Sequence, residues 1–339
     1  MKKALFLFIV LALIAPAVTF AAPFKIAFFV SDLGNVFHQA QFAEAKKYAK
    51  EKYGADVFAF DGKSDSAVMT QNIDQVVAQG MDAATLHIWD QEAGKPGIQD
   101  ALDKGIIMTS FFSPNAGPGF DTGIPTARSD EPGTSFAMGA EMAKQWKAAF
   151  PSKPIVMVEL GWPNHTEVKS GRTDPFVKGV KSIDPSATDL GCQDASKGPD
   201  AAKQIILDLV TTHPEVNLIY SEASNLTVGT LAGLTQAGRG KFNNGKPLTE
   251  IVCSVDFDEV ELKTVYDPSS SLKLSMGLPP KETARGRIDL IMDVKSGKVE
   301  RTSQPHKEFF YKTYNISYWT MKRSDAVKWL NNQFGTNLK

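Results

Sequence analysis

Apolar residues in this chain gather in short unbroken runs, separated by longer segments in which they recur every third or fourth position. The runs fall at 25–30, 56–60, 83–88 and 106–111, with spaced segments at 36–53, 67–79 and 96–104 between them. An unbroken apolar run suits a strand buried on both faces, and the three-to-four spacing suits a helix covering it. In 36–53, Ala40, Ala43, Ala45, Tyr48 and Ala49 stand among charged neighbours, and 67–79 carries Val68, Ile73, Val76 and Val77. Pro96 suits the first turn of the third helix. After a helix at 134–150 the pattern restarts. Strands at 154–160, 187–192, 216–220, 250–255 and 271–276 alternate with helices at 168–183, 200–212, 225–237 and 259–265. A helix at 282–294, extended segments around 309–319 and a helix at 324–334 complete the chain. The prediction is an α/β fold of two doubly wound, parallel-sheet, Rossmann-like lobes.

Ahead of the first strand the pattern differs. Lys2 and Lys3 precede an uncharged apolar stretch at 4–15, and small residues follow, with Thr19-Phe20-Ala21 or Ala15-Pro16-Ala17 offering a cleavage site. Residues 1–22 therefore read as a cleavable export signal of bacterial type, which places the mature protein in the periplasm. No cysteine follows the apolar stretch, which argues against a lipid anchor. No later segment is long and apolar enough to span a bilayer. The remaining length, about 317 residues, exceeds what one hydrophobic core usually serves, so two domains are expected.

Charge narrows the function classes. Charged residues make up 22% of the chain and the net charge is −1, so there is no basic surplus to hold a nucleic-acid backbone. Cys192 and Cys253 would sit in an oxidising compartment, where a disulfide has to be considered. In the usual doubly wound order they fall on the second and fourth strands of the second unit, with two strands between them. At ~4.8 Å per strand that separation is roughly 14 Å, too far for a disulfide.

Motifs for catalysis are missing. There is no Gly-x-Ser-x-Gly elbow, no His-Glu-x-x-His pair and no Walker-type phosphate loop, and the five histidines lack metal-ligand spacing. Gly117-Pro-Gly119 echoes a dinucleotide loop but lacks the third glycine, so it reads as a turn. Neither an enzyme, a cofactor nor a metal is expected. The stretch 113–125, rich in Gly and Pro, leads into Arg128-Ser129-Asp130 and marks a candidate crossing between domains.

Several segments resemble periplasmic binding proteins of the ribose-binding type. The stretch from Lys25 to His38 is similar to their first strand and loop, with Asn35-Val36-Phe37-His38 where they carry an Asn-Pro-Phe-Phe-like turn. The stretch from Gln71 to Ala83 looks like the helix before their third strand, and Ala127-Arg128-Ser129-Asp130 resembles their Gly-Ser-Asp crossing. Gly171-Arg172, with Phe176 four residues on, resembles their Arg-Gly-x-x-Phe helix start, and Val255-Asp256 matches the aspartate that ends a late strand.

The resemblance implies two lobes joined by three crossings, the first formed by 23–127 plus 278–310 and the second by 128–277 plus 311–339. A small polar ligand, first of all a sugar, would be held between them. The protein would be a monomer that delivers its ligand to an ABC-type membrane permease. The alternative is a sensory role, presenting a nucleoside, a furanosyl autoinducer-like compound or another aromatic-faced polar molecule to a chemoreceptor or sensor kinase.

Site candidates follow from positions just past strand ends. Ser31, Asn35, Phe37 and His38 follow the first strand, His87 ends the third, and Phe111 and Phe112 end the fourth. Trp162, Arg172, Glu222 and Asp256 belong to the second lobe, with Asn225 the alternative to Glu222. Arg172 and Asp256 match the family's ligand residues, and a planar guanidinium suits hydroxyl or carboxylate oxygens. Phe111 and Phe112 stand where ribose-type relatives place an Asp-Arg pair, and Gly277 where they often carry Gln. The expected pocket is aromatic on the first lobe and charged on the second.

Overall fold

The structure is a computed structural model that describes residues 22–111 and 121–339. The export segment, Phe112 and the Gly117-Pro-Gly119 turn therefore lie outside the described residues, apart from Ala22.

The first sheet is built from β1 (Lys25–Val30), β2 (Asp56–Asp61), β3 (Ala83–Leu86), β4 (Ile107–Phe111) and β5 (Thr126–Ser129), with helices α1 (Val36–Tyr53), α2 (Ser66–Ala78) and α3 (Gln91–Asp103) between them. The chain then enters α4 (Glu131–Ala149), β6 (Val156–Gly161) and a helix in three parts: α5 (Thr166–Val168), a π-helical turn at Lys169–Thr173, and α6 (Asp174–Ile183). The elements β7 (Thr188–Asp194), α7 (Pro199–Thr212), β8 (Leu218–Ser221) and α8 (Ser224–Gln236) follow. A small hairpin, β9 (Phe242–Asn243) and β10 (Lys246–Pro247), leads to β11 (Ile251–Asp256), α9 (Glu259–Val265) and β12 (Leu272–Gly277). The last elements are α10 (Pro280–Lys295), β13 (Glu308–Tyr311), β14 (Tyr314–Ser317) and α11 (Arg323–Phe334).

Two six-stranded sheets result, in the orders β13-β5-β4-β3-β1-β2 and β14-β12-β11-β8-β6-β7. Every pairing in the first is parallel. In the second, only β14 runs antiparallel to its neighbour β12. The unbroken apolar runs are explained by burial on both faces. Along β1, Ile26, Phe28 and Val30 enter one core cluster while Ala27 and Phe29 enter another. The cluster containing Phe28 continues without a break into the second sheet through Met157, Tyr220 and Met276.

Sheet membership shows the chain passing between the sheets three times: after β5, after β12 and after β13. Residues 128–129 and 311, which the resemblance assigns to the second lobe, are strand residues of the first sheet. The Thr313 hydroxyl ties two crossings together, donating to the Asp130 carbonyl at 2.8 Å and pairing with the Thr134 hydroxyl at 2.6 Å.

Other departures have local causes. The third helix begins at Gln91, not Pro96, because the Asp90 side chain accepts the Ala93 N–H and caps a turn ahead of the proline. The extended region around 309–319 divides into β13 and β14, which belong to different sheets. The hairpin turn Asn244-Gly245 has φ of 49° and 79°, the signature of a two-residue hairpin loop. In the second sheet β6 and β8 separate β7, which carries Cys192, from β11, which carries Cys253, and both cysteines are free.

Candidate functional site

Both parallel sheets turn the carboxyl ends of their strands toward one cavity of about 400 Å³, the position where open α/β sheets place ligands. Ser31 follows β1, His87 follows β3, and Phe111 ends β4. From the second sheet, Trp162 follows β6, Ala223 to Asn225 follow β8, Asp256 ends β11, and Leu278 follows β12. Arg172 enters from the π-helical turn. Such turns insert one residue into a helix and are frequent at functional sites.

Nine of the eleven residues singled out from sequence line this cavity: Ser31, Asn35, Phe37, His38, His87, Phe111, Trp162, Arg172 and Asp256. Phe112 lies outside the described residues. Of the two alternatives Glu222 and Asn225, Glu222 is fully buried and outside the cavity lining, and Asn225 is in the lining. The Glu222 carboxylate accepts hydrogen bonds from the Thr173 hydroxyl and, at 3.3 Å, from the Trp162 N–H. Gly161 makes room for it, since a Cβ there would fall 1.6 Å from a Glu222 carboxylate oxygen.

The wall on the first lobe is made of rings. The rings of His38 and His87 are 5.2 Å apart, Phe37 stands edge-on to His38 at 5.2 Å, and Phe111 edge-on to His87 at 5.5 Å. Both imidazoles are neutral at pH 7. Burial holds His38 down to about 4, with help from the positive charge of Arg287, and holds His87 well below its ordinary value. Ser31 Oγ lies 2.6 Å from His38 Nε2 and fixes that ring.

Behind the rings sits Arg287, fully buried on α10. Its guanidinium lies 3.7 Å from the Phe28 ring centre and 4.7 Å from that of Phe111, and donates to the carbonyls of Phe29 and Thr85. Gly277, the position where relatives often carry Gln, has no room for a side chain, because a Cβ there would come within 2.9 Å of the Trp329 ring.

The wall on the second lobe is charged. Arg172 Nε donates to Glu131 at 2.7 Å and Nη2 to its other oxygen at 3.4 Å, while Nη1 donates to the Glu222 carbonyl at 2.5 Å. Burial disfavours the guanidinium charge, but Glu131, with help from Asp256, more than offsets that, and Arg172 stays ionised. Asp256 has few protein partners. Ser224 offers its N–H at 3.4 Å and its hydroxyl at 3.5 Å, both long. Burial pushes the Asp256 carboxyl up, while Arg172 opposes the shift. Its φ of 93° and the 46° of Phe257 are strained for non-glycine residues, a strain that tends to persist where it aims a functional group.

Helix packing sets where Arg172 meets Glu131. Glu131 opens α4, and Arg172 sits just ahead of α6. These helices approach backbone to backbone: a Cβ on Gly179 would lie 2.1 Å from the Phe136 carbonyl oxygen, and one on Gly139 2.3 Å from that of Phe176. At the mouth, Trp89 from the first lobe meets His165 from the second, their rings 6.5 Å apart and perpendicular. The lining residues Asp32, Ser64 and His165 were not singled out from sequence. They lie in loops whose course depends on the fold, although Asp32 follows Ser31 directly.

The family model described as "periplasmic binding protein domain" matches residues 26–298. A D-ribose/D-allose-binding protein of Pseudomonas aeruginosa is 22% identical over 223 residues, covering 63% of this chain and 67% of that protein. Among solved structures, an ABC transporter solute-binding protein from Agrobacterium vitis bound to α-D-tagatopyranose superposes with a TM-score of 0.74 at 16% identity, covering 91% of this chain and 99% of that one. A 5-methylthioribose transporter solute-binding protein from Thermotoga lettingae superposes with a TM-score of 0.68 at 18% identity, covering 92% and 88%.

Proposed function

This chain belongs to the periplasmic binding protein family, and from that premise we propose that it captures a monosaccharide-sized ligand between its two lobes and delivers it to an ABC-type permease. The family binds solutes and does not transform them, so the cavity residues bind and do not catalyse. The observation that carries the proposal is the cavity itself, walled by Phe37, Phe111 and two neutral imidazoles on one side and by Arg172, Asp256 and Asn225 on the other. Flat rings suit the apolar face of a sugar ring, while the opposite wall supplies donors and acceptors for hydroxyls. The relatives that bind ribose or allose, tagatose and 5-methylthioribose support this class of ligand.

Delivery follows from the three crossings. A ligand touching both walls binds the closed arrangement of lobes better than the open one, and only that difference moves the population. Micromolar affinity requires about 8 kcal/mol in total, within reach of a few hydrogen bonds and one or two stacked rings. Residues 1–22 would carry the chain across the inner membrane, and the mature protein would act as a monomer in the periplasm.

Isothermal calorimetry of the mature protein against aldopentoses, aldohexoses, ketohexoses and 5-methylthioribose tests the proposal. Micromolar or tighter binding of at least one member is expected. Failure of every member to bind refutes it.

A further inference from the structure

We propose that Glu131 sets the charge selectivity of this site, restricting it to uncharged sugars and excluding sugar phosphates and sugar acids. The inference rests on the sugar-binding role proposed above.

The argument begins with the arginine. An arginine in a ligand cavity ordinarily attracts anions, because its guanidinium forks onto carboxylate and phosphate oxygens. Here that fork is already engaged by Glu131, through Nε at 2.7 Å and Nη2 at 3.4 Å, and the third nitrogen points at the Glu222 carbonyl. Both side chains of the pair are buried, with 9% and 4% exposure, so the charges cancel in a region of low dielectric where bulk ions do not screen them. What Arg172 presents to the cavity is hydrogen-bonding geometry without net positive charge.

The other charged groups of the lining are the carboxylates of Asp32 and Asp256. The three imidazoles His38, His87 and His165 supply no compensating cation, since burial lowers all of them. Arg287 is fully buried behind Phe111, outside the lining, and its donors are taken by the carbonyls of Phe29 and Thr85 and by Thr85 Oγ1 and Gln41 Oε1. It therefore offers a ligand anion no contact, and its charge is the same in wild type and in the Glu131 variants. A phosphate or carboxylate on the ligand would therefore meet two carboxylates and a neutralised arginine, whereas hydroxyls would meet good acceptors.

Glu131 achieves this from outside the cavity. It does not line the cavity, and it occupies the first turn of α4, where the helix dipole favours a negative charge. Glu131→Gln removes the charge while keeping the side chain's size and a carbonyl oxygen that can still accept from Arg172 Nε. Glu131 is thus a positioning and charge-setting residue, not a ligand contact.

The test compares wild type, Glu131→Gln and Glu131→Asp by calorimetry at fixed ionic strength. The probes are D-ribose against D-ribose 5-phosphate, D-galactose against D-galacturonate, and inorganic phosphate alone. Wild type is expected to prefer the neutral member of each pair at least tenfold. Glu131→Gln should reduce that preference at least tenfold and gain measurable phosphate binding, and Glu131→Asp should restore selectivity.

Equal or tighter wild-type binding of the anionic members overturns the proposal. So does a Glu131→Gln protein, folded by circular dichroism, in which both the ratio and phosphate binding are unchanged. The two readings fail separately. If no neutral sugar binds but Glu131→Gln acquires phosphate binding, the sugar assignment falls and the charge role stands. If sugars bind and Glu131→Gln changes neither the selectivity ratio nor phosphate binding, the reverse holds.

Discussion

Replacing Asp256 by Asn separates binding from folding at the centre of the site. The amide keeps the size of the carboxylate, and Asn tolerates positive φ better than most residues, which suits the 93° of this position. Among the described residues, the hydrogen bonds to Asp256 are the two long ones from Ser224, at 3.4 and 3.5 Å. Its ionised form is disfavoured by burial, so loss of the charge removes little from the fold. Arg172 remains paired with Glu131, so no buried cation is left uncompensated.

Hydrogen bonds to a charged acceptor contribute about 1.5–3 kcal/mol. If ligand hydroxyls donate to Asp256, the variant should bind its best sugar about 10- to 150-fold more weakly. Its unfolding free energy should stay within about 1 kcal/mol of wild type or rise, as expected when a poorly partnered buried charge is removed. Calorimetry and urea unfolding of the same preparations supply both numbers. Unchanged affinity would show that Asp256 does not hold the ligand. Affinity and stability falling together would show that it holds the fold instead.

Three further outcomes are expected. Burial raises the Glu222 carboxyl to about 7, so its proton is retained by the folded chain between about 4.5 and 7 and lost by the unfolded one. The stability it contributes is full below about 4.5 and disappears as pH rises through 7, so Glu222→Gln should gain on wild type by up to roughly 3 kcal/mol between pH 4.5 and 8, measured by urea unfolding at each pH; a constant difference between the two proteins would contradict this. Gly179→Ala forces a Cβ against the Phe136 carbonyl and should cost about 1–3 kcal/mol while weakening sugar binding, because it pries apart the helices that join Glu131 to Arg172; wild-type stability would refute the close-approach argument. Thiol titration without reductant should count two thiols in the denatured protein, and a count of zero would contradict the strand order of the second sheet.

The alternation of strands and helices was legible because parallel sheets covered on both faces write long apolar runs, as in β1, where Ile26 and Ala27 feed opposite cores. The limits of α1 and α9 also match the spacing-based reading at 36–53 and 259–265, and in the structure Asn35 and Asp258 cap them. Strand β5 was not, because four residues of mixed polarity carry no period of their own and take strand form only by pairing with β4 and β13. At the site, residues directly after strand ends could be placed because the position follows from topology. Side-chain direction could not, which is why Glu222 and Asn225 stood as alternatives for one place. The partnership of Arg172 with Glu131 was also invisible, since 41 residues separate them and the packing of α4 against α6 and the π-helical turn ahead of it brings them together.

A crystal structure of the mature protein with its tightest-binding sugar tests the central claim most directly. The account predicts the sugar ring lying against Phe37 and Phe111, its hydroxyls within hydrogen-bond distance of Asp256 and Arg172, and both sheets contributing contacts. A sugar bound on one lobe alone, or anywhere outside the cavity between the strand ends, would contradict it.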